Sequence, residues 1–221
     1  MNRKIKILYI NFLQFKKNFI QYPYRRFNFI ELFLIWVSEK MTRSQFLVLS
    51  GILVGLSAGS AGVILKVFVH YIQSSINTDV PFEERLLIYG VFPLIGITLT
   101  AFIVKYFFSG DEEKEISFIL KDISKKQSKV KITKMYSQVL QSGITVGFGG
   151  SVGLETPIAV TGSAIGSNYA QRYRLGFKER TLLLAAGAAA GISAAFNAPI
   201  AGIMFAFEII LTGLVFTDFI P

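Results

Sequence analysis

This sequence predicts an all-α, polytopic membrane protein with broken helices, and three observations carry that prediction. Hydrophobic residues fill 52% of the 221 positions, with 21 phenylalanines and a mean hydropathy of +0.51, a composition suited to a bilayer rather than to one water-facing core. The Lys and Arg residues exceed the acids by a net charge of +9, yet they fall in blocks between apolar segments, as orientation marks on membrane loops do. Finally, the apolar stretch 143–172 contains Gly147, Gly149, Gly150 and Gly153 and places Glu155 just before Pro157, which interrupts a helix at membrane depth.

Composition also excludes. With no cysteine, disulfides, thiol catalysis and cysteine metal sites are ruled out. One histidine, His70, excludes a multi-histidine metal centre. No cofactor, metal ion or catalytic residue is expected. The positive charge would point to nucleic acid in a soluble protein, but its placement here assigns it to topology, so no nucleic-acid partner is expected.

The chain divides into an arm, residues 1–44, and a membrane domain, residues 45–221. The arm interleaves Arg3, Lys4, Lys16, Lys17, Arg25 and Arg26 with aromatics such as Tyr9, Phe15 and Tyr24. It lacks a signal-peptide cleavage pattern and reads as cytoplasmic or interfacial, with a short helix near residues 27–39. A first span covers residues 46–71, where Gly51, Gly55 and Gly59 recur at four-residue spacing and predict a face packed inside a bundle. The acidic loop at 76–84, with Asp79, Glu83 and Glu84, is expected outside. A second span, 86–108, carries Pro93 and Gly96. Residues 109–134 hold seven lysines and five acids, are expected inside, and include an amphipathic piece at 116–123. Three apolar segments follow at 135–147, 157–169 and 182–196, with the pairs Gly162/Gly166 and Gly187/Gly191 at small-xxx-small spacing. Arg172, Arg174, Lys178 and Arg180 form a basic cytoplasmic link between the last two. The turn Phe196-Asn197-Ala198-Pro199 starts a helix running inward to Glu208, and the apolar segment after it implies a larger architecture.

The site prediction centres on Glu155. Proline suits a first helical turn because its missing N–H would go unpaired there, so a helix starts near Pro157. From 157 to 172 it rises about 24 Å at 1.5 Å per residue, less than the roughly 30 Å hydrocarbon core. Free N–H groups between Leu154 and Ile158 and the positive end of the dipole would meet an anion. Ionisable groups inside membranes are costly and mark ion or proton paths, so Glu155 reads as functional; the alternative is a capping carboxylate near an interface. Gly149-Gly150-Ser151-Val152-Gly153 also fits the G-x-S-x-G nucleophile pattern, which needs a preceding strand and a histidine base. The preceding residues look helical and His70 lies in another segment, so a serine hydrolase is disfavoured.

Gly153-Leu154-Glu155-Thr156-Pro157 resembles the G-(K/R)-E-G-P motif of the CLC family of chloride channels and chloride/proton antiporters, whose glutamate is the gate. The run from Leu182 through Asn197, Ala198 and Pro199 to Gly202 is similar to that family's next helix pair. The resemblance covers residue 46 onward and the family's N-terminal half only. It implies the first half of a CLC-type inverted repeat, anion binding and gating at Gly153, Leu154, Glu155, Thr156 and Pro157, and chloride, protons and the lipid bilayer as partners. It further implies a homodimer at full length and a multi-pass location in a plasma or inner membrane, N-terminus cytoplasmic. Three departures stand out. The family's G-(S/H)-G-x-P is replaced after Gly110 by an acidic run, leaving Lys114 and Ser117 as candidates for an inner anion contact. Leu154 takes the place of a basic residue and Thr156 that of a glycine. Ile209 takes the place of the antiporters' internal proton-accepting glutamate, one residue after Glu208, so a proton path would rest on Glu155 and Glu208. The expected function is chloride transport as part of a larger protein. The rival is a non-conducting, truncated or degenerate subunit, and a membrane enzyme is third.

Overall fold

A computed structural model describes residues 42–77, 82–108 and 128–211. Six α-helices run through them in order: α1 (Arg43–Asn77), α2 (Phe82–Phe107), α3 (Lys134–Gly147), α4 (Glu155–Arg172), α5 (Phe177–Phe196) and α6 (Pro199–Phe205), the last continuing into a π-helical turn, Ala206–Leu211. No strand occurs among the described residues. The N-terminal arm, the tip of the acidic loop and the amphipathic piece at 116–123 lie outside them, as do Lys114 and Ser117.

The helix α1 is longer at both ends than its apolar stretch predicts. At about 1.5 Å per residue its 35 residues exceed the bilayer core. Its C-terminal extension is polar, and the hydroxyls of Ser74 and Ser75 return to the Tyr71 carbonyl at 2.9 Å, so these residues satisfy themselves without leaving the helix. Gln73 Nε2 adds a 3.2 Å bond to the Val146 carbonyl at the end of α3. Pro93 lies inside α2 without ending it. Two helical stretches, Arg43–Ile76 and Gly90–Phe107, are long and apolar enough to cross a membrane, and both expose apolar side chains outward, among them Ile52, Leu56, Leu94 and Phe102.

Helix α4 is the hub. Its residues enter all three buried clusters: Val160 and Ala164 with Leu184, Ala188 and Ile210, Ala170 with Phe46 and Leu183, and Ile158 and Ala159 with Leu65 and Ile192. A helix buried on every side can carry small residues all round. The α4/α5 pairing is the most extensive among the described helices, and the predicted glycine pairs explain it. A methyl group on Gly162 would overlap the Gly187 carbonyl, one on Gly187 would overlap that of Gly162, and one on Gly166 would overlap that of Leu183. Backbone meets backbone, as small-xxx-small spacing permits.

On α1 the same spacing is misleading. Gly51 has nothing within 4 Å of its would-be methyl, Gly55 and Gly59 only reach ordinary contact with Ala190 and Ala194, and the close approach belongs to Gly62, where a methyl would lie 2.7 Å from the Gly191 carbonyl oxygen. The basic link is also only partly a loop. α5 begins at Phe177, five residues before its apolar run, with Glu179 and Arg180 buried in its first turn. Glu179 pairs with Arg43 at the start of α1, and Arg180 Nη2 donates to the Leu175 carbonyl at 2.9 Å.

Two polar devices fix the connections. Ser167 on α4 donates to the Ser128 carbonyl at 2.6 Å and accepts from the Val130 N–H at 3.0 Å and from Gln171 Nε2 at 3.1 Å. Ser128 Oγ in turn meets Thr181 Oγ1 at 2.6 Å, and Thr181 donates to Phe177 O at 2.9 Å, so the segment entering α3 is pinned to α4 and α5. After α5, Asn197 takes the left-handed conformation (φ 53°, ψ 33°), which asparagine tolerates. The Ala198 N–H bonds Ser193 O at 3.1 Å, and Pro199 opens α6, as the turn predicts.

Candidate functional site

The glycine run does what its composition demands. α3 ends at Gly147, Gly149 adopts φ +89°, and residues 150–153 cross irregularly to the start of α4. Helix α4 starts at Glu155 with Leu154 as N-cap and no side-chain cap hydrogen bond, so Pro157 falls in the first turn. The first helical bond runs from the Ile158 N–H to Leu154 O at 3.1 Å. Ile158 is thereby committed, which narrows the expected donors to the N–H groups ahead of it, those of Glu155 and Thr156 included. With the dipole they give this end about half a positive charge. Glu155 is the acid of that turn and is exposed, whereas Pro157 is buried.

Leu154 has a structural role. Where the resemblance expects a basic residue, this leucine packs on the cluster of Leu65, Val69 and Ile158, so it anchors the loop to α1 in place of adding positive field. Ser151 and Val152 are exposed in the irregular segment. No strand precedes Ser151 and His70 sits on α1, so the serine-nucleophile geometry is absent here.

Glu155 opens onto a cavity of about 590 Å³ between three elements. Ile97, Thr100 and Ala101 of α2 form one wall, Gln138, Gln141, Ser142 and Thr145 of α3 another, and Val152, Gly153, Glu155, Thr156 and Pro157 the third. The α3 contribution is one helical stripe at i, i+3, i+4, i+7. It is polar, and Gln138 and Gln141 are only 2% and 3% exposed. Thr145 donates to Gln141 O at 2.9 Å, which leaves the Thr100 hydroxyl to donate to Thr145 Oγ1, also at 2.9 Å. The glutamine amides are not so served: Gln138 Nε2 and both Nε2 and Oε1 of Gln141 are buried without a protein partner. An unmet buried donor or acceptor costs about 1–3 kcal/mol, so these amides are the energetically unsettled part of this wall.

Sequence reading singled out the five residues from Gly153 to Pro157 and missed the α3 stripe, although its signal is visible: two glutamines, a serine and a threonine at one helical spacing inside a membrane segment. Glu208 lies exposed on the π-helical turn and is not among the residues lining the cavity.

Residues 96–221 match the family described as voltage gated chloride channels. That match covers more than half of the chain, and the chain belongs to this family, which makes it an integral membrane protein. A stretch of 65 residues is 49% identical to the H(+)/Cl(-) exchange transporter ClcA of Citrobacter koseri, covering 29% of this chain and 14% of that relative's length.

Proposed function

We propose that the protein carrying this chain passes chloride or related anions across a membrane, with Glu155 as the gate. The observation that carries this reading is one titratable group, Glu155, at the N-terminus of the buried hub helix, lining a cavity whose α3 wall is polar. N–H donors at a helix start bind anions, and a carboxylate beside them competes for the same donors. Protonation removes that competition, so a single group couples anion passage to pH. Gly153 leaves room for the backbone to approach the ion, with nothing within 4 Å of a would-be methyl. Thr156 contributes an N–H and a hydroxyl, Leu154 fixes the loop, and Pro157 sets the first turn. An inner contact at Lys114 and Ser117 belongs to the same proposal.

The name of the Citrobacter relative raises the question of proton exchange. Ile209 stands where the resemblance expects a proton-accepting glutamate, so coupling here would run through Glu155, with Glu208 as the neighbouring acid. Chloride efflux and proton uptake, recorded together from liposomes, test both parts: anion-selective flux that rises on acidification is expected. The second reading, a non-conducting subunit, is favoured by the acidic run after Gly110 in place of the family's glycine-proline motif; absence of anion flux across the pH range would establish it. A homodimer is proposed on the family resemblance and is tested by cross-linking in membranes.

A further inference from the structure

The two glutamines on α3 are not accounted for by a gate that works only at the α4 N-terminus. A helix start offers donors and no acceptor, so it suits a carboxylate, which only accepts. A primary amide offers a donor and an acceptor side by side, and its complement is a group with the same pair, such as a protonated carboxylic acid. Gln141 presents both atoms buried and unpartnered, Gln138 adds an unpartnered Nε2, and both line the cavity that Glu155 lines.

We propose that the carboxamide of Gln141, assisted by Gln138, receives the Glu155 carboxyl when that group, protonated, withdraws from the start of α4. This rests on the gating reading above and adds to it the place where the withdrawn gate is held. The two charge states then sort chemically: the anion to the N–H donors of α4, the neutral acid to the amide of α3 in a paired O–H···O and N–H···O contact. Among the described residues lining the cavity, Glu155 is the one ionisable group. α2 contributes only Ile97, Thr100 and Ala101 to the cavity, α3 only its amides and hydroxyls, α4 and the loop before it only Glu155 as a titratable group, and α1 and α5 contribute none. The Thr100 and Thr145 hydroxyls are already engaged with each other and with Gln141 O, and among the groups lining the cavity the Gln141 amide is the one whose separate donor and acceptor atoms are both buried and unpartnered.

The test uses the whole chain in lipid nanodiscs with 15N-labelled glutamine side chains. Gln141→Leu and Gln138→Leu serve only to assign the two amide signals. As the pH is lowered from neutral until Glu155 is protonated, the Gln141 signals should shift in the native chain. In Glu155→Gln they should stay at the acid-limit position at every pH, because the new amide carries the same donor and acceptor. Gln141 signals that ignore pH in the native chain, or that move equally in Glu155→Gln, overturn the inference. The gating reading fails separately, through flux that keeps its pH dependence in Glu155→Gln, so the two failures are distinguishable.

Discussion

At the scale of single residues, the structure separates glycines that are needed from glycines that merely recur. Gly51→Ala should cost nothing, since its methyl meets open space and alanine favours helix over glycine by about 1 kcal/mol. Gly62→Ala pushes a methyl to 2.7 Å from the Gly191 carbonyl oxygen and should cost about 1–3 kcal/mol, the usual range for overpacking. Thermal unfolding of the two variants in detergent compares them directly; equal losses would refute the packing described for α1. The difference was not legible in the spacing, because Gly51, Gly55 and Gly59 share one stripe whichever part of it meets a neighbour. Gly162 and Gly187 were legible, since both lie in segments too crowded with small residues to pack at side-chain distance. The polar stripe of Gln138 and Gln141 was legible in principle, but which wall it faces depends on how α2, α3 and α4 converge.

At the scale of elements, polar pins decide boundaries that apolar runs leave open. The sequence places the start of α5 at residue 182 because the apolar run begins there. The helix starts at Phe177 because Thr181 and Arg180 find internal partners, and a buried polar group that is satisfied need not mark a loop. The same reasoning predicts that Ser167→Ala, which removes one donor and one acceptor atom serving Ser128, Val130 and Gln171, should destabilise by about 1–3 kcal/mol. Hydrogen exchange should rise first at Val130, whose N–H loses its acceptor. Unchanged protection at Val130 would mean that this segment is held by packing alone. The sequence expectation of a helix start near Pro157, by contrast, falls within two residues of the observed start at Glu155, because proline restricts the backbone whatever surrounds it.

At the scale of the whole molecule, orientation is the first consequence to check. Lys and Arg collect on the cytoplasmic side, so the N-terminus, residues 110–134 and residues 172–180 are expected inside and residues 76–84 outside. The absence of native cysteine makes single-cysteine labelling clean: Asp79→Cys should react with an impermeant reagent from outside and Lys178→Cys from inside, and the reverse pattern would invert the assignment. What the fold then achieves is to hold one acid at the start of the buried helix α4, on a cavity with one polar wall, that of α3. The most direct test of that claim is the pH dependence of anion flux in the protein carrying this chain, native against Glu155→Gln, in liposomes. Glutamine keeps shape and hydrogen bonding while deleting the competing charge, so flux should persist or rise and lose its response to pH, with any proton coupling abolished, whereas Glu208→Gln should change little. Flux whose pH response and proton coupling survive Glu155→Gln but vanish in Glu208→Gln would contradict the account.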